Sequence, residues 1–328
     1  MVITRGIQKF SFWLIICALT LIISCFFCCD ATSYLSDYSF LDKWQLFENI
    51  YASAKLSRIS ALVLLLISPS MYLALERRYP LDTGYNLLFF CYILIFSCKG
   101  ALCMSSVHVA AYFLVWALYF SFRSSMETYN PDNPFISALL LSISSLFFAP
   151  LIWLAPIMIA LDRNLSFVKD KCLVGSILGL TLPMILVVGI SAIKSGYQTV
   201  FQPLFEYLRM AVSLDYGVEQ IKIASLVKLV LLAIIIIRSI IFFLNSSHRF
   251  NAVAAKCYMR CLIYSICLAI IAFLFGHSIT SIIWVLPLLP LSLLIFAYFN
   301  ANIDKKTCSF LMAIFLIISI AERAILMI

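Results

Sequence analysis

Long apolar stretches separated by short polar loops repeat along this chain from Phe10 to its last residue. Each stretch is about twenty residues long, which is the length that an α-helix needs to cross the hydrocarbon core of a bilayer. A segment in lipid has to be a helix or part of a closed barrel, because an unpaired backbone group there is costly. No stretch alternates between apolar and polar residues as barrel strands do, so the pattern predicts helices.

The pattern predicts an all-α protein, a polytopic bundle of about ten transmembrane helices. We expect these helices to form a single integral membrane domain over residues 1–328. The predicted spans are 10–29, 56–75, 84–98, 101–122, 135–161, 172–193, 223–244, 257–275, 279–299 and 308–326. Lipid is therefore the first expected partner of the chain.

Basic residues in the short loops predict the orientation, because positive charge stays on the cytoplasmic side of a membrane. Arg5 and Lys9 predict a cytoplasmic N-terminus. The further residues taken to mark cytoplasmic loops are Arg77, Arg78, Arg163, Lys169, Lys171, Arg249, Lys256, Arg260, Lys305 and Lys306. The acid-rich connections 30–55 and 194–222 are then outer loops of a multi-pass protein in a bacterial inner membrane.

The segment 135–161 conflicts with this orientation if it crosses the membrane once, because the loop at Arg163 would then lie outside. It contains Pro150 and Pro156, and proline removes a helical hydrogen bond. Two alternatives stay open. The segment is either an ordinary kinked helix or a re-entrant pair of half-helices that dips in and returns, and the second alternative restores the charge rule.

Composition supports the membrane class and excludes several others. Hydrophobic residues make up 64% of the chain and charged residues 12%, which leaves too little polar surface to cover a soluble globule. The net charge of +8 follows from the basic cytoplasmic loops, so no nucleic-acid partner is predicted. Nearly all of the twelve cysteines lie in apolar spans, where cysteine behaves as a small hydrophobe. We therefore predict neither a metal site nor a cofactor.

The first outer loop is the strongest candidate for chemistry, because the chain contains no phosphate-binding glycine loop, nucleophile elbow or metalloprotease helix. The loop passes Asp30, Asp37 and Asp42, and its continuation 43–51 places aromatic residues at helical spacing, as in a helix that lies in the interface. Carboxylates held above the bilayer can act as a general base on a hydroxyl. The alternative is that they are solvated loop acids.

A few ionisable residues fall within predicted spans, where they are costly unless they face protein or water. His108 is either a neutral imidazole that shares a hydrogen bond or a catalytic or substrate-binding group. The hydrogen-bond partners expected near it are Ser105, Ser106 and Tyr112. Lys228 and Arg238 are expected to extend along their stems towards the interface, and Arg238 is also a candidate to bind a lipid phosphate.

Three features together resemble the multi-pass glycosyltransferases of the GT-C fold. They are an outer loop with Asp after the first span, an interfacial helix before the second span, and the serine-rich apolar stretch 137–150. Members often have a Leu-Thr-Lys-Pro-like turn there. This chain has Phe147-Phe148-Ala149-Pro150, which keeps the proline and lacks the lysine. With 78–86 and 286–292, the same stretch is also similar to a Bacteroidota family of multi-pass inner-membrane proteins, which lends no established activity.

The GT-C resemblance implies transfer of a sugar from a polyprenyl phosphate to an acceptor on the outer face. It implies Asp37 as the base that activates the acceptor, with Asp30 and Asp42 as alternates, and Arg58 as the cation for the phosphate. The other implied substrate contacts are Glu48, His108, Tyr197, Gln198, Glu206, Tyr207 and Arg209. A small-molecule or lipid transporter and a non-catalytic membrane scaffold stay open as alternatives.

Overall fold

The structure is a computed structural model that describes most of the chain. The described residues are 18–20, 22–23, 53–78, 91–98, 100–126, 132–165, 169–195, 202–212, 223–246, 251–275, 282–300 and 305–327. Within these ranges every regular element is a helix, so the predicted all-α class is confirmed for the described part of the chain.

The α-helices are numbered here in chain order. They are α1 (Ala54–Ile67), α2 (Met71–Arg78), α3 (Ser106–Met126), α4 (Asp132–Phe147), α5 (Ala155–Leu165), α6 (Lys169–Ser195), α7 (Gln202–Val212), α8 (Ile223–Ser246), α9 (Ala252–Phe275), α10 (Val285–Asn300) and α11 (Lys305–Met327). Short 3₁₀ helices at Ser68–Ser70 and Ala149–Leu154 join α1 to α2 and α4 to α5, and a third at Ile282–Trp284 leads into α10. Residues 91–96 are also helical.

Several of these helices have the length and composition of membrane spans. Among the described residues, the five that qualify are Lys55–Leu75, Asp170–Ile190, Leu226–Asn245, Ala252–Phe275 and Ile282–Phe299. They coincide with five of the predicted spans and are compatible with a multi-pass membrane protein. Shorter apolar helices cover Asp132–Phe147, Ala149–Asp162 and Phe310–Glu322. Most of the predicted spans 10–29 and 84–98 lies outside the described residues, so the total of ten spans stays a prediction.

The helices differ in how much of their surface the rest of the protein covers. Only 22% of the apolar window is buried in α6 and in α8, whereas 83% is buried in the stretch that contains α10. The exposed side chains of α8 include Val230, Ile234, Ile237, Ile241 and Leu244. Continuous exposed apolar stripes of this kind mark contact with lipid or a partner. We therefore place α10 in the core, packed against α8 and α9, whereas the exposed apolar faces of α6 and α8 are compatible with contact with lipid.

The segment 135–161 doubles back on itself at Phe148. This residue has extended backbone angles (φ −142°, ψ 92°) between the end of α4 and the following 3₁₀ helix. Ser137 Oγ in α4 lies 3.5 Å from Met158 Sδ in α5. One continuous helix would separate these two residues by about 30 Å at 1.5 Å per residue. The structure thus has the fold-back that the re-entrant alternative requires, and we call residues 132–165 the hairpin.

Serine hydroxyls connect α4 to its neighbours. Ser137 and Ser144 donate hydrogen bonds to backbone carbonyls of α3 at 2.8 and 2.7 Å. Ser142 donates to Leu180 O in α6 at 2.8 Å. Small side chains let helices approach closely, and their hydroxyls bond across the contact. The serines of the stretch 137–150 are therefore used for helix packing.

Gly179 marks a close approach between α6 and α4. A Cβ atom at this position would overlap the carbonyl oxygen of Phe135 and lie 3.0 Å from the backbone nitrogen of Leu139. Gly189, ten residues further along α6, would have no described atom within 4 Å of its Cβ. Only the first glycine is therefore required by packing.

Candidate functional site

Part of the predicted site lies outside the residues that the structure describes. These residues are Asp30, Asp37, Asp42, Glu48, Tyr197 and Gln198. Their roles stay predictions.

His108 is buried near the start of α3 and is hydrogen-bonded through both ring nitrogens. Its Nδ1 accepts a hydrogen bond from the Ser105 backbone N–H at 3.2 Å and lies 3.0 Å from Ser105 Oγ. Its Nε2 lies 2.9 Å from Ala101 O, and because a carbonyl only accepts, Nε2 carries the proton. His108 is therefore a neutral imidazole bonded to Ser105, which is one of its two predicted alternatives. Its role in binding a substrate stays a prediction.

The predicted acceptor contacts of the second outer loop lie on α7. Glu206 is half-buried and Arg209 is exposed, whereas Tyr207 is buried. The Tyr207 hydroxyl donates to Ser145 Oγ in α4 at 2.8 Å. Burial raises the pKa of the Tyr207 hydroxyl above its usual range, so it stays protonated. Tyr207 therefore fastens α7 to the tip of the hairpin, which corrects the expectation that it contacts the acceptor.

A buried ion pair, which we call the Arg260 pair, joins α9 to the hairpin. Arg260 Nη1 lies 3.0 Å from Asp162 Oδ1, and both side chains are 2% exposed. Ser121 of α3 donates its hydroxyl to Asp162 Oδ1 at 2.9 Å. Arg260 also donates to Ser121 Oγ at 3.0 Å and to the backbone oxygens of Ser121 and Leu161. The pair therefore ties three helices together.

The hydrogen bonds of the Arg260 pair have a definite direction. Ser121 gives its only hydroxyl hydrogen to Asp162, so the Tyr264 hydroxyl, 2.6 Å away, is the donor to Ser121. These donors converge on an ionised Asp162. Within the described residues Arg260 Nε has no hydrogen-bond partner. The prediction that Arg260 lies in a cytoplasmic loop is wrong, because Arg260 is part of α9 and its side chain is buried.

A second buried ion pair, which we call the Lys228 pair, joins α8 to α11. It consists of Lys228 and Glu322, whose side chains are 9% and 11% exposed. Lys228 Nζ also donates to Ser97 O at 2.9 Å, in the residues that precede α3. The expectation that Lys228 extends towards the interface is wrong, because its ammonium group is turned into the protein and paired.

The two pairs lie at opposite ends of α3. Lys228 contacts Ser97, which precedes this helix, whereas Arg260 contacts Ser121, near its C-terminal end. The rise from Ser106 to Ser121 is about 22 Å at 1.5 Å per residue. The bundle therefore carries one buried charge pair towards each of its ends.

A cavity of about 380 Å³ opens beside Lys228. Its walls come from α8, α9, α10 and α11, and large apolar side chains such as Phe273, Trp284 and Phe315 line it. Lys228 is the one charged residue among the described residues that line the cavity, and Arg58 is not among them. A chamber of this kind matches a ligand that combines an apolar chain with a negative charge.

Another cavity, of about 400 Å³, lies between the hairpin tip, α7 and α9. Trp153, Val212 and Ile270 are among its lining residues, and none of the described residues that line it is charged. Trp153 Nε1 donates to Ala211 O at 2.8 Å, which holds the hairpin tip against α7. This cavity offers no group that would orient a ligand, so the Lys228 cavity is the better candidate site.

The sequence contains a signal for both pairs. Each pair consists of single charged residues inside apolar runs, and such residues mark functional or buried polar sites in membrane proteins. The pairing itself could not be read from spacing, because 98 residues separate Asp162 from Arg260 and 94 separate Lys228 from Glu322.

The described residues contain no group of three or more His, Cys, Asp or Glu side chains that could hold a metal ion. Comparison of the chain with protein-family models, curated proteins and solved structures found no match. The geometry of the Lys228 cavity is therefore the main guide to function.

Proposed function

We propose that this protein binds an anionic lipid with a long apolar chain in the Lys228 cavity and transfers a sugar from a polyprenyl phosphate to an acceptor on the outer face of a bacterial inner membrane. The observation that carries the proposal is a buried lysine, Lys228, which is the one charged residue among the described residues that line an otherwise largely apolar cavity of about 380 Å³. A polyprenyl phosphate has the matching parts, an isoprenoid chain and a phosphate.

The physical chemistry of the cavity supports such a ligand. Removal of an isoprenoid chain from water gains roughly 25 cal/mol for each Å² of apolar surface. In a bilayer the chain is already in an apolar solvent, so the cavity gains less than this and recognises the chain by its shape. Lys228 then distinguishes a charged lipid from a neutral one, because a hydrogen bond between an ammonium group and a phosphate is about twice as strong as a neutral hydrogen bond. Lys228 thus replaces Arg58 as our candidate for the cation that binds the phosphate.

The predicted orientation places the reacting groups on the same side. With a cytoplasmic N-terminus, α8 starts from the outer loop 194–222, so Lys228, near the start of α8, belongs to the outer half of the membrane. The first outer loop carries Asp37, Asp30 and Asp42 on that face. In the proposed reaction Asp37 takes the proton of an acceptor hydroxyl, whose oxygen attacks the sugar. Lys228 then stabilises the charge that develops on the leaving phosphate.

Binding of farnesyl phosphate to the purified protein in neutral detergent tests the proposal directly. Trp284 lines the cavity and provides a fluorescence signal. We expect Lys228→Met to weaken binding by about tenfold or more, since a lost charge-assisted hydrogen bond is worth about 1.5–3 kcal/mol. Lys171→Met is the matched control, because it is the same substitution at an exposed lysine on α6 that does not line the cavity. Equal binding by wild type and Lys228→Met would refute the proposed site.

The catalytic step requires a separate experiment. Asp37→Asn is expected to abolish sugar transfer from a polyprenyl-phosphate sugar while it leaves farnesyl phosphate binding intact. Transfer at the wild-type rate by Asp37→Asn, Asp30→Asn and Asp42→Asn would rule out all three candidate bases.

The hairpin favours one second candidate, a lipid or small-molecule transporter. Broken helices that enter the membrane and return are typical of transporters, where they line the substrate path. Movement of a labelled lipid phosphate between the leaflets of reconstituted vesicles, without sugar transfer, would favour this function. Neither binding nor movement would leave a non-catalytic scaffold.

A further inference from the structure

The ammonium group of Lys228 is not an open cation. It is paired with Glu322, and it donates to Ser97 O at 2.9 Å. An ammonium group has three hydrogens, and the described residues provide acceptors for two of them. Within this pair the positive charge of Lys228 is balanced by the carboxylate of Glu322. An arriving phosphate therefore meets a cation that an internal carboxylate already holds.

We propose that Glu322 is an internal counter-ion that competes with the phosphate of the lipid ligand for Lys228. This inference rests on the proposed function, because it assigns a regulator to the same site. Glu322 neutralises the buried charge of Lys228 while the cavity is empty. Without this counter-ion Lys228 would be an isolated buried charge, which is strongly destabilising. The same carboxylate repels an incoming anion, and charges act over longer distances where water is excluded.

The position of Glu322 fits this role. It lies near the C-terminal end of α11, and it is not among the described residues that line the cavity. A ligand phosphate can then approach Lys228 from the cavity while the carboxylate stays on its own helix. Because Glu322 and the ligand phosphate compete for Lys228, the effect of Glu322 on the affinity should increase with the negative charge of the ligand.

Three probes that share one farnesyl chain test this scaling: farnesyl phosphate, its methyl ester and farnesol. The monoester carries a charge of about −1.5 to −2 at pH 7, the methyl ester carries one negative charge, and farnesol carries none. We expect Glu322→Gln to tighten binding of farnesyl phosphate by about tenfold, within the range typical of coupled sites, with a smaller gain for the methyl ester and none for farnesol. A purely structural role for Glu322 would change the affinity for all three probes alike, and that result would overturn the proposal.

Glu322→Gln leaves Lys228 without its counter-ion and lowers stability, so a milder variant accompanies it. Glu322→Asp keeps the charge on a shorter side chain, which moves the carboxylate away from Lys228. We expect the same order of the three probes with smaller gains. Farnesyl phosphate should also raise the melting temperature of Glu322→Gln more than that of wild type, because the phosphate supplies the missing charge. Affinity for farnesyl phosphate that is unchanged or weaker in both folded variants would overturn the proposal.

The two proposals fail in different ways. If Lys228→Met binds farnesyl phosphate as wild type does, the cavity is not the site and the proposed function fails. If Lys228→Met loses binding but neither Glu322 variant gains it, the site stands and the competition by Glu322 is wrong. Inorganic phosphate distinguishes the source of the anion. Displacement of farnesyl phosphate by an equal concentration of inorganic phosphate would assign the site to free phosphate and overturn the lipid as ligand.

Discussion

The Arg260 pair and the Lys228 pair use the same chemistry in different surroundings. Each joins a basic and an acidic side chain on distant helices, and each is buried. Arg260 donates to four acceptors, and both side chains of its pair are 2% exposed. Lys228 donates to two among the described residues, and it lines a cavity. A buried ion pair enclosed by protein holds helices together, whereas one that borders a cavity remains available to a ligand.

The largest effect is expected from Arg260→Met, which would break the enclosed pair. The variant leaves Asp162 charged and buried, and loss of one partner of such a pair costs about 3–5 kcal/mol. Chemical unfolding in detergent measures this loss. The double variant Arg260→Met/Asp162→Asn removes both charges and should lose less than Arg260→Met alone. A double variant that is no more stable than the single one would show that the two side chains are not coupled.

A smaller loss is expected from Lys228→Met, because its pair is more exposed and borders a cavity. We expect a loss of about 1–3 kcal/mol in the free energy of unfolding. The sharper difference is in the response to ligand. Farnesyl phosphate should raise the melting temperature of wild type and of Lys171→Met, but not that of Lys228→Met. If Lys228→Met destabilises the protein as much as Arg260→Met, the distinction between the two pairs is wrong.

Gly179→Ala tests how tightly the hairpin is held beyond the Arg260 pair. The added methyl group would overlap the backbone of α4 at Phe135. Overpacking of this kind typically costs about 1–3 kcal/mol. The control is Gly189→Ala on the same helix, which has open space around its Cβ position and gains helix propensity. Equal stability of the two variants in thermal unfolding would mean that α4 and α6 can separate at little cost.

The smallest effect is expected from Tyr207→Phe at the hairpin tip. The variant removes one hydrogen bond to Ser145 and keeps the buried ring. A net loss of about 0.5–1.5 kcal/mol is expected for one such bond. Hydrogen exchange of the α7 backbone should increase more than the exchange of α9, because only α7 loses an anchor. Equal increases in both helices would contradict the view that Tyr207 acts locally.

The sequence allowed the helices to be predicted, because apolar length alone specifies them. The spans at α8 and α9 follow directly from long apolar runs, each of which contains only two charged residues. The fold-back at Phe148 is one of two alternatives that the sequence leaves open, and the charge of the Arg163 loop is the argument for it. The locations predicted for two single charged residues within the spans are wrong. Lys228 and Arg260 lie near span ends, where a charged side chain usually reaches water, and nothing in local spacing indicates a partner more than ninety residues away.

The hairpin has a consequence for the direction of the helices that follow it. Its last residues meet the C-terminal part of α3 through Asp162 and Ser121, so it finishes at the end of the bundle where it began. The chain enters and leaves such a segment at the same end, so the segment does not reverse the direction of the helices that follow. If the hairpin is re-entrant, its loss would leave the sidedness of α6 and of every later helix unchanged.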